Sequence, residues 1–242
     1  MSRQENAGQS VLVIGGSSGI GLAIATKAAA DGDRVELIAR NADRLASAAA
    51  AVGAADTATF DVYNDDDLTA FVDNLAAPFD HVFVGSGNPF YATLPEIDAS
   101  EAAAALGRGV WLMIRLAQLS PKLLRPGGSL TFMSGTSARR PGAGMSLPAA
   151  SIAANAALTA NLALEAAPVR INSIAAGFVD TPLSARLLGD DLEARRDELR
   201  RTLPVHRVVQ AEDVAMLARH LMTNSVLTGT VFDIDGGQQL LS

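Results

Sequence analysis

A run of apolar residues that leads directly into three glycines is the feature that most constrains this chain. Residues 10–14 read Ser-Val-Leu-Val-Ile, and Gly15, Gly19 and Gly21 follow before an alanine-rich stretch that begins at Leu22. This order predicts a strand, a tight turn and a helix. Gly15 permits the turn, Gly19 lets a ligand approach the backbone, and Gly21 lets the helix pack closely on the strand.

The first turn of this helix suits a phosphate group. Its N–H groups have no partners within the helix, and the helix dipole favours negative charge at that end. We therefore expect Ser17, Ser18 and Ile20 to line a ligand site together with the glycines. The spacing is Gly-x-x-x-Gly-x-Gly, and a lone glycine motif also occurs in turns that bind nothing. A turn without a ligand remains an alternative at this point.

Strand and helix patterns alternate along the rest of the chain. The alternation predicts an α/β fold, a doubly wound parallel sheet with helices on both faces, in a single domain over residues 1–242. The charged helical segment at residues 181–203 has no place in that sheet, and we predict that it is a lid over the cleft. Strands are expected at residues 10–14, 34–39, in a short segment ending at 60–61, and at 81–84, 129–133, 169–175 and 230–234.

Composition excludes several classes of function. The formal net charge of −7 argues against binding of nucleic acid or of an anionic membrane surface. The chain has no cysteine, and its three histidines lack the spacing of metal ligands, so we expect no disulfide and no metal site. Residues 1–9 form a polar extension without an apolar signal region, which predicts a cytoplasmic protein. Residues 141–164 carry no charge, and we expect them to form a buried or subunit-facing helix rather than a membrane span.

Further motifs, in order and at matching spacing, resemble those of the short-chain dehydrogenase/reductase family. The resemblance covers about residues 10–237 and implies a Rossmann fold, a nicotinamide cofactor and a small-molecule substrate. The motifs are the three glycines, Asp61 after the third strand, Arg170-Ile171-Asn172 leading to Gly177, Asp180-Thr181-Pro182, and Thr228-Gly229 before Asp235-Gly236-Gly237.

The resemblance assigns roles to residues along the carboxyl edge of the sheet. It implies that Asp61 accepts a hydrogen bond from the adenine, and that Thr181 and the backbone of Val179 meet the nicotinamide. Asp61 is also a residue type that forms turns, and Thr181 is also suited to cap a helix that begins at Pro182. The predicted cofactor-binding residues are Gly15, Ser17, Ser18, Gly19, Ile20, Gly21, Arg40, Asn41, Asp61, Val62, Gly85, Ser86, Gly87, Asn155, Gly177, Val179 and Thr181.

The end of the second strand favours NADP(H) over NAD(H). Enzymes that prefer NAD place a carboxylate there to hold the ribose 2′-hydroxyl, whereas this chain has Ala39, Arg40 and Asn41, with Arg44 nearby. A guanidinium binds a 2′-phosphate through two hydrogen bonds, and an acid would repel it. A solvated surface arginine is the alternative for Arg40.

The catalytic pattern of the family is where this sequence departs from it. The family places a Tyr-x-x-x-Lys pair on the helix after the fifth strand, and the alignment puts Ser151 and Asn155 at those two positions. The family's helical Asn maps to about Leu106. Its Ser maps to Gly135, with Ser134 and Ser137 as neighbours. Asn155 can bond a ribose hydroxyl but carries no charge with which to acidify a neighbour, so the usual acid and base are absent.

Three other groups in the sequence are of a type that can donate a proton. Tyr91 follows the fourth strand at the carboxyl edge, although an aromatic ring that packs its loop is the plainer interpretation. His206 follows the lid segment and is also explained as a structural residue. His81 begins the fourth strand, at the wrong end of the sheet. The predicted catalytic residues are therefore Ser134, Ser151, Asn155 and Tyr91, with Ser137 helping to orient the substrate.

Two functions fit this combination of motifs. The first is an NADP(H)-dependent oxidoreductase that transfers hydride to or from a small organic carbonyl, imine or activated alkene with a non-standard proton donor. The alternative is a catalytically inactive NADP-binding sensor or scaffold protein. The resemblance also implies a homo-oligomer, a dimer or tetramer, that pairs through the helix carrying Val110, Trp111, Met113 and Ile114 and through the alanine-rich helix.

Overall fold

A parallel seven-stranded sheet forms the centre of the computed structural model, which describes residues 8–85, 87 and 89–241. The sheet order is β3-β2-β1-β4-β5-β6-β9, and every neighbouring pair is parallel. The strands are β1 (Ser10–Ile14), β2 (Arg34–Ala39), β3 (Asp56–Thr59), β4 (Phe79–Val84), β5 (Leu124–Gly135), β6 (Arg170–Ala176), β7 (Val179–Asp180), β8 (Val209–Gln210) and β9 (Val231–Ile234). The α-helices are α1 (Gly19–Ala30), α2 (Ala42–Val52), α3 (Asp65–Asp73), α4 (Ala99–Leu123), α5 (Ser146–Glu165), α6 (Pro182–Leu188), α7 (Leu192–Thr202) and α8 (Ala211–Thr223).

Helices cover both faces of this sheet because its central strands are apolar on both sides. In β1, Val11 and Val13 pack with α1, α2 and α8, whereas Leu12 and Ile14 pack on the other face with α3, α4 and α5. All four side chains are at most 1% exposed. Continuous apolar strands of this kind are typical of parallel sheets buried on both faces. The predicted α/β doubly wound fold is confirmed.

The predicted bounds are wrong for β3 and β5, and those of β4, β6 and β9 differ from the structure by one or two residues. The third strand ends at Thr59 rather than at residues 60–61, and the fifth begins at Leu124 rather than at Ser129. The sequence Pro126-Gly127-Gly128 predicts a loop between α4 and β5. Instead, β5 begins directly after α4, where Leu124 pairs with Phe79 of β4. The two glycines lie where the register between β4 and β5 shifts, before the next pair, His81 and Ser129. A contact between distant residues therefore overrides the local turn signal.

The segment predicted as a lid connects two very short strands. Helices α6 and α7 lie between β7 and β8, which pair in parallel as a separate two-stranded sheet. An ion pair of 2.6 Å joins Arg196 of α7 to Asp180 of β7, the strand that directly precedes the segment. The segment is helical, as predicted, and its function as a lid remains a prediction.

Helix α5 is long and apolar enough to cross a membrane by length and composition alone. It is the single helix with this property in the described part of the chain. In the fold, α5 packs against α4 and β6, and Leu162 and Ala163 belong to the core on that face of the sheet. This packing buries one side of α5 and leaves most of the helix unburied, so the predicted contact of this helix with another subunit stays a prediction.

Gly21 is a residue that the contact between α1 and β1 requires. A Cβ atom built on Gly21 would lie 2.2 Å from the backbone oxygen of Gly15. We expect Gly21→Ala to lower the free energy of unfolding by about 2 kcal/mol through overpacking, although alanine favours a helix by about 1 kcal/mol. Urea unfolding measures the change. Gly107→Ala in α4 is the matched control: its Cβ would meet nothing within 4 Å, so this variant should gain stability. A Gly21→Ala protein as stable as the parent would contradict the prediction.

Candidate functional site

The glycine turn has the backbone geometry that the sequence predicts. Gly15 has a φ of +85°, a left-handed conformation that favours glycine, and its N–H donates to the carbonyl of Ile38 at 2.8 Å. Gly19 has a φ of +54° at the first residue of α1. The turn therefore carries the chain from the end of β1 to the start of α1, at the carboxyl edge of the sheet.

The N-terminus of α1 has no side-chain cap, a property that it shares with α5 and α7. Ser18 occupies the cap position but makes no side-chain hydrogen bond there, and the first turn contains no acidic residue. By contrast, side chains of Asn41, Asn64 and Asp98 accept backbone N–H bonds at the starts of α2, α3 and α4. The N–H groups of the first turn of α1 are thus left for an external acceptor, and a phosphate suits that position.

Thr181 lies directly against this turn, across a long distance in sequence. The position of a Cβ on Gly19 is 3.6 Å from the Cβ of Thr181. Thr181 also caps α6, because its Oγ1 accepts a hydrogen bond from the N–H of Ser184 at 3.3 Å. The structure thus confirms the capping role, and it brings Thr181, the nicotinamide contact that the family resemblance implies, against Gly19 of the predicted phosphate turn.

Two unpaired arginines flank the end of β2. Arg40 and Arg44 are exposed, and neither side chain makes a hydrogen bond or ion pair with a described residue. Asn41 caps α2 by accepting a hydrogen bond from the N–H of Arg44 at 2.9 Å, which leaves only its amide group for a ligand. No carboxylate follows β2 before Asp43.

The residues after β3 and β4 complete the carboxyl edge on this side. The exposed Asp61 accepts a hydrogen bond from the N–H of Tyr63 at 3.2 Å, so it does form a turn. Val62 is 4% exposed, and its side chain belongs to the core. The N–H of Gly85 donates to the carbonyl of Ile14 at 2.8 Å, and a Cβ on Gly87 would meet nothing within 4 Å. The predicted residue Ser86 lies outside the described residues.

The connection after β6 is held by a residue that the sequence did not single out. A Cβ on Gly177 would lie 2.4 Å from Oε1 of Gln238, and the N–H of Phe178 donates to that same oxygen at 2.8 Å. Gln238 is 7% exposed. It therefore fixes the backbone just before Val179, the predicted nicotinamide contact.

Ser151 and Asn155 lie one turn apart on α5, and both are half-buried. The amide Nδ2 of Asn155 donates to Sδ of Met113 on α4 at 3.2 Å. Its Oδ1 is buried and has no hydrogen-bond partner among the described residues. Ser151 makes no side-chain hydrogen bond to a described residue. An unpartnered acceptor buried at this position is costly unless a donor from outside the chain pairs with it.

The residue of α4 that faces Asn155 is Met113 rather than Leu106. Met113 is 4% exposed and follows Leu106 by seven residues, about two helical turns on the same face. The alignment had placed the family's helical asparagine at about Leu106. Met113 is therefore a site residue that the sequence missed, and the periodicity of α4 is the one signal that pointed to this face. Its burial also removes it from the predicted subunit surface.

The end of β5 faces the first turns of α5. A Cβ on Gly135 would lie 3.0 Å from Cδ1 of Ile152, so the helix packs closely over the position that aligns with the family's serine. Ser134 is half-buried on β5 beside Ala175 of β6. The Oγ of Ser137 is buried and has no partner among the described residues. Both serines thus have hydroxyl groups that are free to bond a ligand.

The aromatic and imidazole candidates differ in their surroundings. Tyr91 is 47% exposed, and partial burial raises the pKa of its hydroxyl. Such a shift makes a phenol a weaker acid, the opposite of what a Tyr beside a Lys undergoes. His206 is exposed with a φ of +51°, and no contact ties it to the residues above. His81 is 3% exposed and bonds Ser129 inside the sheet at 2.9 Å, so it takes no part in the site.

Comparisons with known proteins agree with the fold and identify the family. The family model described as enoyl-(acyl carrier protein) reductase matches residues 14–239. Short-chain dehydrogenase/reductase ATR9 from Stachybotrys chlorohalonatus is 30% identical, over 95% of this chain and 96% of its own. The structure of MalC reductase/Diels-Alderase from Malbranchea aurantiaca has a TM-score of 0.86 and 26% identity over 97% of each chain. A small-chain dehydrogenase in complex with NADPH has a TM-score of 0.80 and 28% identity, over 96% of this chain and 99% of its own. The chain therefore belongs to the short-chain dehydrogenase/reductase family of oxidoreductases.

Proposed function

We propose that this protein binds NADP(H) and transfers hydride to or from a small organic carbonyl, imine or activated alkene, with a proton donor other than the family's Tyr. The observation that carries the proposal is the meeting of the uncapped α1 N-terminus with Thr181 at Gly19. A dinucleotide needs such a site, because its phosphates and its nicotinamide bind to segments far apart in sequence. The structural relative in complex with NADPH supports this choice of ligand.

The residues on this edge of the sheet fit such a cofactor. The α1 N–H groups would hold the pyrophosphate, and Asp61 would accept from the adenine beside Val62. The buried Oδ1 of Asn155 would accept a hydrogen bond from a ribose hydroxyl, which satisfies the one unpartnered atom of that side chain. Val179 and Thr181 would contact the nicotinamide, which supplies the hydride when bound.

Arg40 is expected to decide the choice between the two nicotinamide cofactors. Its guanidinium is exposed and unpaired at the end of β2. We expect Arg40→Ala to weaken NADPH binding by about tenfold to a hundredfold, since one or two charge-assisted hydrogen bonds to the 2′-phosphate are lost. NADH affinity should not change.

Titration of the purified protein with each cofactor, followed by calorimetry or fluorescence, measures both effects. Arg108→Ala is the matched control, because Arg108 is also exposed and unpaired but lies on α4. Equal NADPH affinity in the Arg40→Ala and parent proteins would contradict the assignment of NADP(H).

The proton has to come from a group other than the Tyr that the family resemblance implies. Helix α5 contains no Tyr and no Lys, and Asn155 carries no charge. We propose that water or the substrate itself supplies the proton, with Tyr91 as the side-chain candidate. Ser134, Ser137 and Ser151 would orient the substrate through their free hydroxyls. General acid and base catalysis contributes about 10²–10⁴ in rate, so a slower or chemically easier reaction remains open to such a site.

A sensor or scaffold protein is the second candidate, favoured by the same absence of Tyr and Lys from α5. An assay with deuterium-labelled NADPH separates the two functions. We expect label in a reduced product for at least one member of a panel of ketones, aldehydes, imines and enones. Tight NADPH binding without transfer of label to any member of the panel would favour the sensor.

We also propose that the protein forms a homo-oligomer through α4 and α5. Ile114 is 37% exposed and Leu164 is 80% exposed on these helices, and α5 carries a charge only at Glu165. Sedimentation of a monomer at micromolar concentration would contradict this proposal.

A further inference from the structure

A small cleft lies beside the proposed nicotinamide site, between the loop after β5, the helix α7 and the C-terminal segment. Its volume is about 300 Å³, at the small end of the range for ligand sites. The apolar part of its lining consists of Leu199, Leu240 and Leu241. The charged part consists of Arg140, Arg195 and Glu198. The cleft therefore combines an apolar surface with two guanidinium groups and one carboxylate.

Arg140 differs from every other arginine that the structure describes. Five described arginines have side chains without a carboxylate or carbonyl partner: Arg40, Arg44, Arg108, Arg140 and Arg186. Of these five, Arg140 alone is half-buried, and the other four are exposed. A guanidinium withdrawn from water without a counter-charge is costly, so the position calls for an anion from outside the chain.

Among the described residues that line the cleft, the neighbouring charges leave Arg140 as the one cation without a partner. Arg195 donates to Oε2 of Glu198 at 2.6 Å, which cancels both of those charges. Arg139, the preceding residue, is bound by two hydrogen bonds of 2.9 and 2.5 Å to Asp233 of β9. These bonds also fix the loop, so the backbone that presents Arg140 is held in place.

Hydrogen bonds link the cleft to the proposed reaction site at two points. Arg140 follows Ser137 closely, and its N–H donates to the carbonyl of Ser137 at 3.2 Å. Gln238 lines the cleft and accepts the N–H of Phe178, the residue before Val179. We propose that the cleft is a substrate subsite in which Arg140 binds a carboxylate or phosphate group at the end of the substrate remote from its reacting carbon. This inference rests on the proposed function and names its substrate class as anionic.

Direct binding tests the subsite without any requirement for turnover. The probes are octanoate, octyl phosphate and methyl octanoate, titrated by calorimetry into the NADPH-saturated protein. We expect both anions to bind and the neutral ester to bind at least about tenfold more weakly, since it cannot form charge-assisted hydrogen bonds. The tighter of the two anions identifies the head group. Equal binding of ester and anions, or no binding of any probe, would overturn the proposal.

Variants locate the site and separate its failure from that of the proposed function. Arg140→Gln should lose about tenfold or more in affinity for the preferred anion and keep its NADPH affinity, and the control Arg108→Gln should change neither. An Arg140→Gln protein that binds the anion as the parent does would overturn the subsite. The assay with deuterium-labelled NADPH is then repeated with 4-oxo acids, which carry both a carboxylate and a ketone. If the anion binds through Arg140 but no label passes from NADPH to any 4-oxo acid, the subsite stands and the proposed hydride transfer fails.

Discussion

The double variant Ser151→Tyr/Asn155→Lys should reduce a carbonyl substrate about 10²–10⁴ times faster than the parent, the range that general acid catalysis contributes. The two side chains lie one turn apart on the same face of α5, at the spacing of the family's Tyr and Lys. A phenol at position 151 would supply the proton, and an ammonium at position 155 would lower the pKa of that phenol below its usual value near 10. Asn155 is the one proposed nucleotide-binding residue that changes in this variant, and the ammonium of the lysine that replaces it can donate a hydrogen bond to the same ribose hydroxyl.

The comparison that isolates proton transfer is Ser151→Phe/Asn155→Lys. Phenylalanine fills the same space as tyrosine without the hydroxyl, so steric effects of the ring and of the new lysine are shared. The measurement is kcat/KM with NADPH for the best ketone of the labelled panel, across a range of pH. Equal rates in the two double variants would show that the hydroxyl at position 151 is not aligned with the reacting atoms.

The fold was accessible to sequence reasoning wherever one local signal dominated. β1 and β2 have the predicted bounds, because apolar runs meet glycines or a charged turn at both ends, whereas α1 begins at Gly19 and not at the predicted Leu22. The start of β5 was not accessible, since the pairing of Leu124 with Phe79 depends on residues more than forty positions apart. Gly127 and Gly128 lie within an irregular part of β5. Glycine weakens the interior of a strand, so a pair of glycines favours a loop when only the sequence is considered.

The sequence predicts some residues of the candidate site and not others. The glycine turn and the cap at Thr181 follow from residue type and spacing, and the contact between Thr181 and Gly19 was implied only by the family resemblance. The sequence does not single out Met113, because the periodicity of a helix shows which face is buried. It does not show which residue along that face contacts Asn155. The sequence does not single out Arg140, because whether an arginine has a carboxylate partner depends on the tertiary structure. In this fold Asp233 binds the neighbouring Arg139.

A buried histidine remote from the site gives the chain a stability that depends on pH. His81 is 3% exposed within β4, and its Nδ1 lies 2.9 Å from Oγ of Ser129. Burial and, secondarily, the positive charge of Arg170 lower the pKa of His81 from 6.5 to about 4, while Asp80 opposes this shift. The unfolded chain therefore binds a proton at this residue between pH 6.5 and 4, and the folded chain does not.

The free energy of unfolding should consequently fall by about 3 kcal/mol as the pH is lowered from 6.5 to 4, and this contribution is fully present above pH 6.5. Urea unfolding at a series of pH values in that window measures the slope. His81→Gln should lose that part of the slope whatever its stability at neutral pH, because glutamine does not titrate. His220→Gln, at an exposed position of α8, is the control for the loss of an imidazole as such. The same slope in the parent and in His81→Gln would mean that other groups titrate in this range, and that His81 stays accessible to protons in the folded chain.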